Sequence, residues 1–315
     1  MGKFIHGVDI GGTTVKMGLF NESGELIQKW EIPTIKDNGG SQILPDIAGA
    51  IKAKNELLGI QMSDVLGVGL GIPGPITSDG RVLKCANLGW GIFSVADEVR
   101  KLTGIQKVCI GNDANVAALG EQWRGGGRGF DNIVMVTLGT GVGAGIIIGG
   151  KIITGSNGAA GEIGHIPVNT NETRTCGCGK KGCLEQYTSA TGLMSDARLA
   201  IENNDRPSKM REYKQLTGKE IFDAYKAGDE VASEVVNKYA DYLGRGLAIT
   251  AQVIDPQAFV LGGGVAKNGE IVAQIVKENY EKYVMFALKD KVFRLAELGN
   301  DAGIYGAARM VMIDD

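Results

Sequence analysis

Three of the five cysteines, Cys176, Cys178 and Cys183, fall within eight residues, and His165 lies just upstream. Three thiolates and one imidazole make a Cys3His set, the composition of a tetrahedral structural zinc site. Four protein ligands leave no open position for water, so such an ion would hold a loop rather than activate a nucleophile. Gly177, Gly179 and Gly182 let so short a loop curl round one ion. Glu162 and Glu185 flank the ligands without belonging to them, as carboxylates aimed at something else would. Two other readings compete. Reduced surface thiols would need no ion, and a nucleic-acid zinc knuckle would want basic and aromatic residues. The stretch Gly161–Tyr187 has few of the first and only Tyr187 of the second.

A second kind of chemistry is offered by Asn112-Asp113, which follows the short apolar run Val108–Gly111 and opens a helical pattern over Ala114–Trp123. An Asp between strand and helix is most often an N-cap, and the helix dipole favours its ionised form. An ionised carboxylate at a strand's C-terminal end can equally act as general base toward a bound hydroxyl. The residues alone leave both roles open.

Two glycine turns complete the set. Gly11-Gly12-Thr13-Thr14 separates the strand patterns Phe4–Ile10 and Val15–Phe20, and Gly139-Thr140-Gly141 separates Ile133–Leu138 from Ala144–Ile148. A P-loop or dinucleotide fingerprint must open a helix, and these turns open strands. Their N–H groups and hydroxyls can still cradle phosphate, with Asp9 placed to hold a hydrated Mg²⁺; a bare hairpin turn needs no ligand. Gly69-x-Gly71-x-x-Gly74 and Gly139-x-Gly141-x-x-Ala144 fit a dinucleotide pattern in letters only. Pro73 and Pro75 deny the first its helix, and Ile146-Ile147-Ile148 favour strand in the second. Two strand–turn–strand units about half a chain apart indicate an internal duplication.

The elements that must position these groups are those of a globular α/β chain. With 315 residues the expectation is two domains, each able to bury a core. A formal net charge of −3 gives no basic excess for nucleic acid or an anionic membrane. The 49 glycines, roughly twice the ordinary frequency, cluster after apolar runs, as close backbone approach to a ligand requires. No signal peptide or membrane-length apolar run is present, and Cys85 and Cys109 read as buried free thiols, so a reduced cytoplasmic location is expected. Helices are expected over residues 43–58, 95–102, 191–203, 219–227, 230–254, 269–283 and 304–312. Val65–Ile72, Val108–Gly111 and Phe259–Leu261 read as strands.

His165 followed by Cys176-x-Cys178-Gly179-x-x-Gly182-Cys183-x-Glu185 resembles the zinc motif of the ROK family, which contains repressors, uncharacterised frames and sugar kinases. Gly161-Glu162-Ile163-Gly164-His165 is similar to its sugar-binding box and Asn112-Asp113-Ala114-Asn115 to its catalytic box. The motifs extend over nearly the whole chain. The resemblance implies an actin-like ATPase (ribonuclease H-like) α/β fold, two duplicated domains around a cleft. Residues 1–112, completed by a C-terminal helix over 301–315, would form the smaller domain, and 113–300 the larger one with the zinc loop.

It further implies an ATP-dependent hexose kinase of the glucokinase branch, with Asp113 as base. Asn87, Asn112, Asp113, Glu162, His165 and Glu185 would bind the sugar. ATP with Mg²⁺ would meet Asp9, Gly11, Gly12, Thr13, Thr14, Gly139, Thr140, Gly141, Gly263 and Gly264. His165, Cys176, Cys178 and Cys183 would hold structural Zn²⁺, and a homo-oligomer, dimer or tetramer, is expected. Glucose is favoured over N-acetylmannosamine, N-acetylglucosamine, fructose or mannose, because Glu162, His165 and Glu185 are a wholly polar set with no apolar patch for an N-acetyl methyl. Polyphosphate remains open as donor. A repressor would need a helix-turn-helix ahead of a first strand that begins near Phe4. A non-catalytic sugar sensor would have no use for Asp113.

Overall fold

A computed structural model of the chain describes residues 3–77, 80–83 and 85–313. Its strands are β1 (Phe4–Ile10), β2 (Thr14–Asn21), β3 (Leu26–Pro33), β4 (Val65–Ile72), β5 (Arg81–Val82), β6 (Phe93–Ser94), β7 (Val108–Asn112), β8 (Ile133–Leu138), β9 (Val142–Ile148), β10 (Lys151–Ile152), β11 (Ala258–Gly262) and β12 (Val292–Leu295). The helices are the single turn α1 (Asp37–Gly40), α2 (Ile43–Leu58), α3 (Val95–Thr103), α4 (Asp113–Arg124), α5 (Glu185–Thr188), α6 (Ala190–Glu202), α7 (Gly218–Lys226), α8 (Glu230–Ile254), α9 (Gly263–Ala266), α10 (Glu270–Tyr280) and α11 (Ala302–Met312).

The expected duplication is visible in the sheets. One runs β3-β2-β1-β4-β7 and the other β10-β9-β8-β11-β12, each with antiparallel strands on one side and parallel strands on the other. The chain divides into one compact unit of Met1–Gly129, Gly145–Ala160 and Leu298–Asp315 and a second of Phe130–Ala144 and Gly161–Glu297. The expected boundary at residues 112/113 therefore moves: α4 stays in the first unit, held there by α11. Gly120 and Gly306 permit this, since a Cβ on Gly306 would stand 1.7 Å from the carbonyl oxygen of Val116, and one on Gly120 would stand 2.2 Å from that of Ala302.

In the first unit, one face of the sheet buries Val8, Ile10, Met17, Val68 and Leu70 with Ile43, Ile47 and Ile51 of α2, at the spacing that predicts that helix. The opposite face packs Ile5 and Phe20 on Ile304, Ala308 and Val311 of α11. Here Gly69 admits the helix backbone, because a Cβ there would lie 1.8 Å from the Ala307 carbonyl oxygen. The second unit centres on β8 and β11, whose side chains are almost wholly buried, and on α8, which buries Val231, Val235, Tyr239, Leu243 and Leu247 along one stripe. Two elements depart from expectation. A single helical turn, α9, precedes the expected helix, which is α10 capped at Gly269, and β12 forms an edge strand where none is expected.

Candidate active site

The first unit contributes the ends of three parallel strands. β1, β4 and β7 pair so that Asp9 stands opposite Gly71, and Gly71 opposite Gly111. The carboxyl ends of parallel strands are where open α/β sheets bind ligands. Asn112 and Asp113 follow directly. The cap is Asn112, not Asp113: its Oδ1 accepts from the N–H of Ala114 and Asn115 at 3.1 and 3.2 Å, and its Nδ2 donates to the Gly74 carbonyl at 3.1 Å. Asp113 is thereby released from capping to become the first residue of α4. Its Oδ1 accepts from the Ala114 N–H at 2.8 Å. Burial pushes its carboxyl above the ordinary range, opposed by donors from the Ala114 and Asp113 backbone and the Asn112 side chain.

Asp9 lies among the same strand ends, with a Gly71 Cβ position only 3.6 Å from its Oδ1. Burial lifts its carboxyl to about 6; the cross-strand Lys16 pulls it down and the charge of Asp113 pushes it up. The Lys16 ammonium also donates to the Asn300 carbonyl at 3.1 Å. Gly303, in the first turn of α11, must lack a side chain, since its Cβ would meet the Asp9 carboxyl carbon at 2.4 Å. Two neighbouring half-buried carboxylates, one beside a turn whose Thr13 and Thr14 hydroxyls have no partner among the described residues, suit a hydrated cation. That turn is fixed by Gly11 N–H to Thr14 O at 3.0 Å and Thr34 Oγ1 to Gly11 O at 2.8 Å. Asn87 sits exposed on the turn Ala86–Leu88, beside Cys85, whose buried thiol is raised chiefly by desolvation, with a smaller push from the Asp113 charge. Trp90 is structural: its indole donates to the Gly40 carbonyl at 3.1 Å.

The second unit gathers the cysteine cluster. The ligand atoms of His165, Cys176, Cys178 and Cys183 all lie within 4.8 Å of one another. The sulfurs of Cys178 and Cys183 are 3.6 Å apart, and His165 Nδ1 is 3.7 Å from Cys176 Sγ. A tetrahedron with Zn–S bonds of about 2.3 Å has edges of about 3.7 Å, so the residues fit zinc in both chemistry and spacing. Bridges Pro167↔Cys183 and Thr175↔Lys181 close the loop. Gly182, at φ +74°, lets it pass Asn169, whose carbonyl oxygen a Cβ would meet at 1.8 Å.

With Nδ1 toward the sulfurs, His165 presents Nε2 to Glu162, 3.8 Å away on an exposed side chain. Glu185 opens α5 and ties the loop to the second glycine turn: Oε2 accepts from the Val142 N–H at 2.9 Å, while Oε1 lies 3.8 Å from Cys176 Sγ. The turn itself is anchored by Ala190 N–H to Gly139 O at 2.7 Å and Thr191 Oγ1 to Thr140 O at 3.1 Å. Gly263 sits against the end of β8, 2.5 Å from the Leu138 carbonyl by its Cβ position, and Gly264 faces open space.

One group was not anticipated. Glu172 takes a hydrogen bond from the Tyr187 hydroxyl at 2.5 Å and one from Arg174 at 2.7 Å, and Arg174 reaches Asp196 on α6 at 3.4 Å. Lys238 of α8 meets the same Asp196 at 2.9 Å. The Arg174 guanidinium holds the Glu172 carboxyl well below the usual range. This network braces the cysteine loop on the helices behind it. Glu172-x-Arg174 was its only trace in the sequence, too short and common a pattern to stand out.

The two sheets of like order define a duplicated α/β body, and comparison with known proteins gives its family. The ROK family model matches residues 5–313. The chain is 42% identical over 310 residues to a glucokinase of Halalkalibacterium halodurans, covering 97% of this chain and 94% of that one. Among solved structures it is similar to a ROK hexokinase from Thermus thermophilus, with TM-score 0.80, 33% identity, and coverage of 97% and 96%. A ROK family glucokinase from Streptomyces griseus, solved with glucose and AMPPNP, gives TM-score 0.73 and 34% identity, covering 98% of each chain. The chain belongs to the ROK family and has the actin-like ATPase fold of its sugar kinases. Among the described residues no helix is long and apolar enough to cross a membrane.

Proposed function

We propose that this chain is a glucokinase, transferring the γ-phosphoryl group of ATP to the 6-hydroxyl of glucose. The observation that carries it is Asp113: a half-buried carboxylate at the strand ends, freed from capping by Asn112, in a chain 42% identical to a glucokinase. Phosphoryl transfer asks the protein mainly to place donor and acceptor in line and to stabilise charge. Asp113 takes the proton of the sugar hydroxyl as its oxygen bonds to phosphorus, the bond from phosphorus to the bridging oxygen breaks, and ADP leaves. Backbone N–H groups and hydroxyls at Gly11-Gly12-Thr13-Thr14 and Gly139-Thr140-Gly141 bind phosphate oxygens, with Gly263 and Gly264 toward the nucleotide. Asp9 would hold Mg²⁺, which would neutralise phosphate charge.

Asn87, Asn112, Glu162, His165 and Glu185 bind the remaining sugar hydroxyls. His165, Cys176, Cys178 and Cys183 would hold a structural Zn²⁺, with Glu162 and Glu185 on the segments that carry these ligands. Coupled phosphorylation across a hexose panel, with ATP and polyphosphate as donors, tests the reading. For glucose kcat/KM is expected at least about tenfold above N-acetylmannosamine or fructose, roughly 1.4 kcal/mol in transition-state binding. Equal or reversed ratios would remove glucose; no turnover with any hexose would remove the kinase.

A further inference from the structure

The first unit holds a cavity of about 520 Å³ whose lining shares only Asn112 with these roles. It runs along β7, the last strand in its sheet order, from Val108 to Asn112, and is walled by α3, α4, α11 and β10. Ile110, Leu119, Ile152 and Met310 make much of the lining apolar. Three polar groups break it. Asn115 is only 4% exposed, and its Oδ1 is buried with no hydrogen-bond partner among the described residues. An unmet buried acceptor is costly, so the fold carries an oxygen in want of a donor. Lys151 is exposed, and its ammonium makes no ion pair or hydrogen bond among the described residues. Arg100 spends Nε on the Gln106 carbonyl and Nη1 on Asp97, which leaves Nη2.

We infer that this cavity is a second binding site, for a phosphomonoester whose body carries a hydroxyl or amino donor. Two cations lining one cavity match a dianion better than a carboxylate, and charge-assisted bonds to phosphate are the strong ones. The apolar lining takes a sugar or base face, and the donor meets Asn115 Oδ1. The volume lies within the range of small-molecule sites. Asn112 shares the wall and caps α4, the helix that begins at Asp113, so occupancy bears on the base through that cap.

Calorimetry on the full chain, saturated with glucose and AMPPNP to fill the substrate positions, tests this with glucose 6-phosphate, AMP and inorganic phosphate. Only the choice of blocking ligands rests on the proposed function, and the readout is binding heat rather than turnover, so the two can fail separately. One of the organic phosphates should bind at one equivalent and inorganic phosphate at least tenfold more weakly. Which of the two binds tells whether sugar or nucleoside is the body. Lys151→Glu should weaken binding at least tenfold. Asn115→Leu should weaken it at least fivefold without lowering the melting temperature, because it removes an unpaired amide oxygen and leaves no void. Binding by neither organic phosphate overturns the inference, as does binding that both variants leave unchanged.

Discussion

Replacing Asp9 by Asn should stabilise the free protein at pH 8 while costing it most of its activity. Burial lifts the Asp9 carboxyl from an ordinary 3.8 to about 6. At pH 8 both folded and unfolded chains carry this group ionised, and the folded one holds the charge at a cost. A rise of that size corresponds to a ceiling of about 3 kcal/mol. The sign follows from the direction: the contribution to stability is fully present below 3.8, where both states are protonated, and is lost as pH rises through about 6. Asn keeps the shape but not the charge. The variant should therefore be more stable than the parent at pH 8, by up to about 3 kcal/mol, with the advantage shrinking toward pH 4. For a unit of this size 1 kcal/mol moves a midpoint by about 2–4 °C, so a shift of up to about 10 °C is readable. The assay is thermal or urea unfolding of both proteins between pH 4 and 8, with no nucleotide, Mg²⁺ or sugar present. A variant less stable than the parent at pH 8, or a difference that ignores pH, would refute the reasoning. Gain of stability with loss of turnover is what a charge kept for function predicts.

Asp113→Asn should nearly abolish turnover in the coupled assay while glucose still binds by calorimetry, since the amide cannot take a proton; comparable turnover removes Asp113 as base. In the parent, because the Asp113 carboxyl titrates above its ordinary range, kcat should fall on the acid side as that group protonates, a limb a pH–rate profile would show. Cys178→Ser should lose zinc by metal analysis and with it sugar affinity; a zinc-free protein with normal affinity would confine the ion to stability. Gly141→Ala would put a Cβ 2.3 Å from Glu185 Oε2 and break the bond from Val142 N–H, about 1.5–3 kcal/mol and so at least about tenfold in kcat/KM. In a Glu185→Ala background the same change should add less than about 0.5 kcal/mol, and full additivity of the two would show that the turn acts without Glu185.

What could be read from the sequence was whatever is local. The glycine turns declare their flanking strands by period, and the cysteine cluster declares a metal-binding set by type and spacing, because each member of the set lies within about twenty residues of the others. The assignment of Asp113 was not local. Strand-then-Asn-Asp-then-helix allows either residue to cap, and the choice rests on the Gly74 carbonyl, 38 residues earlier, which holds the Asn112 amide in the capping position. The placement of α4 likewise rests on glycines that admit α11 at backbone contact, from the far end of the chain. β12 escaped notice for a different reason: four residues, none fully buried, give no alternation to detect. Glu185 shows how the two kinds of information meet. Its position in the motif says only that a carboxylate follows the last cysteine; its bond to Val142 N–H, 43 residues back, makes it the strut between the cysteine loop and the glycine turn. Residue types thus declare the candidate chemistry, while long-range backbone contacts decide which of two adjacent side chains is left free to perform it.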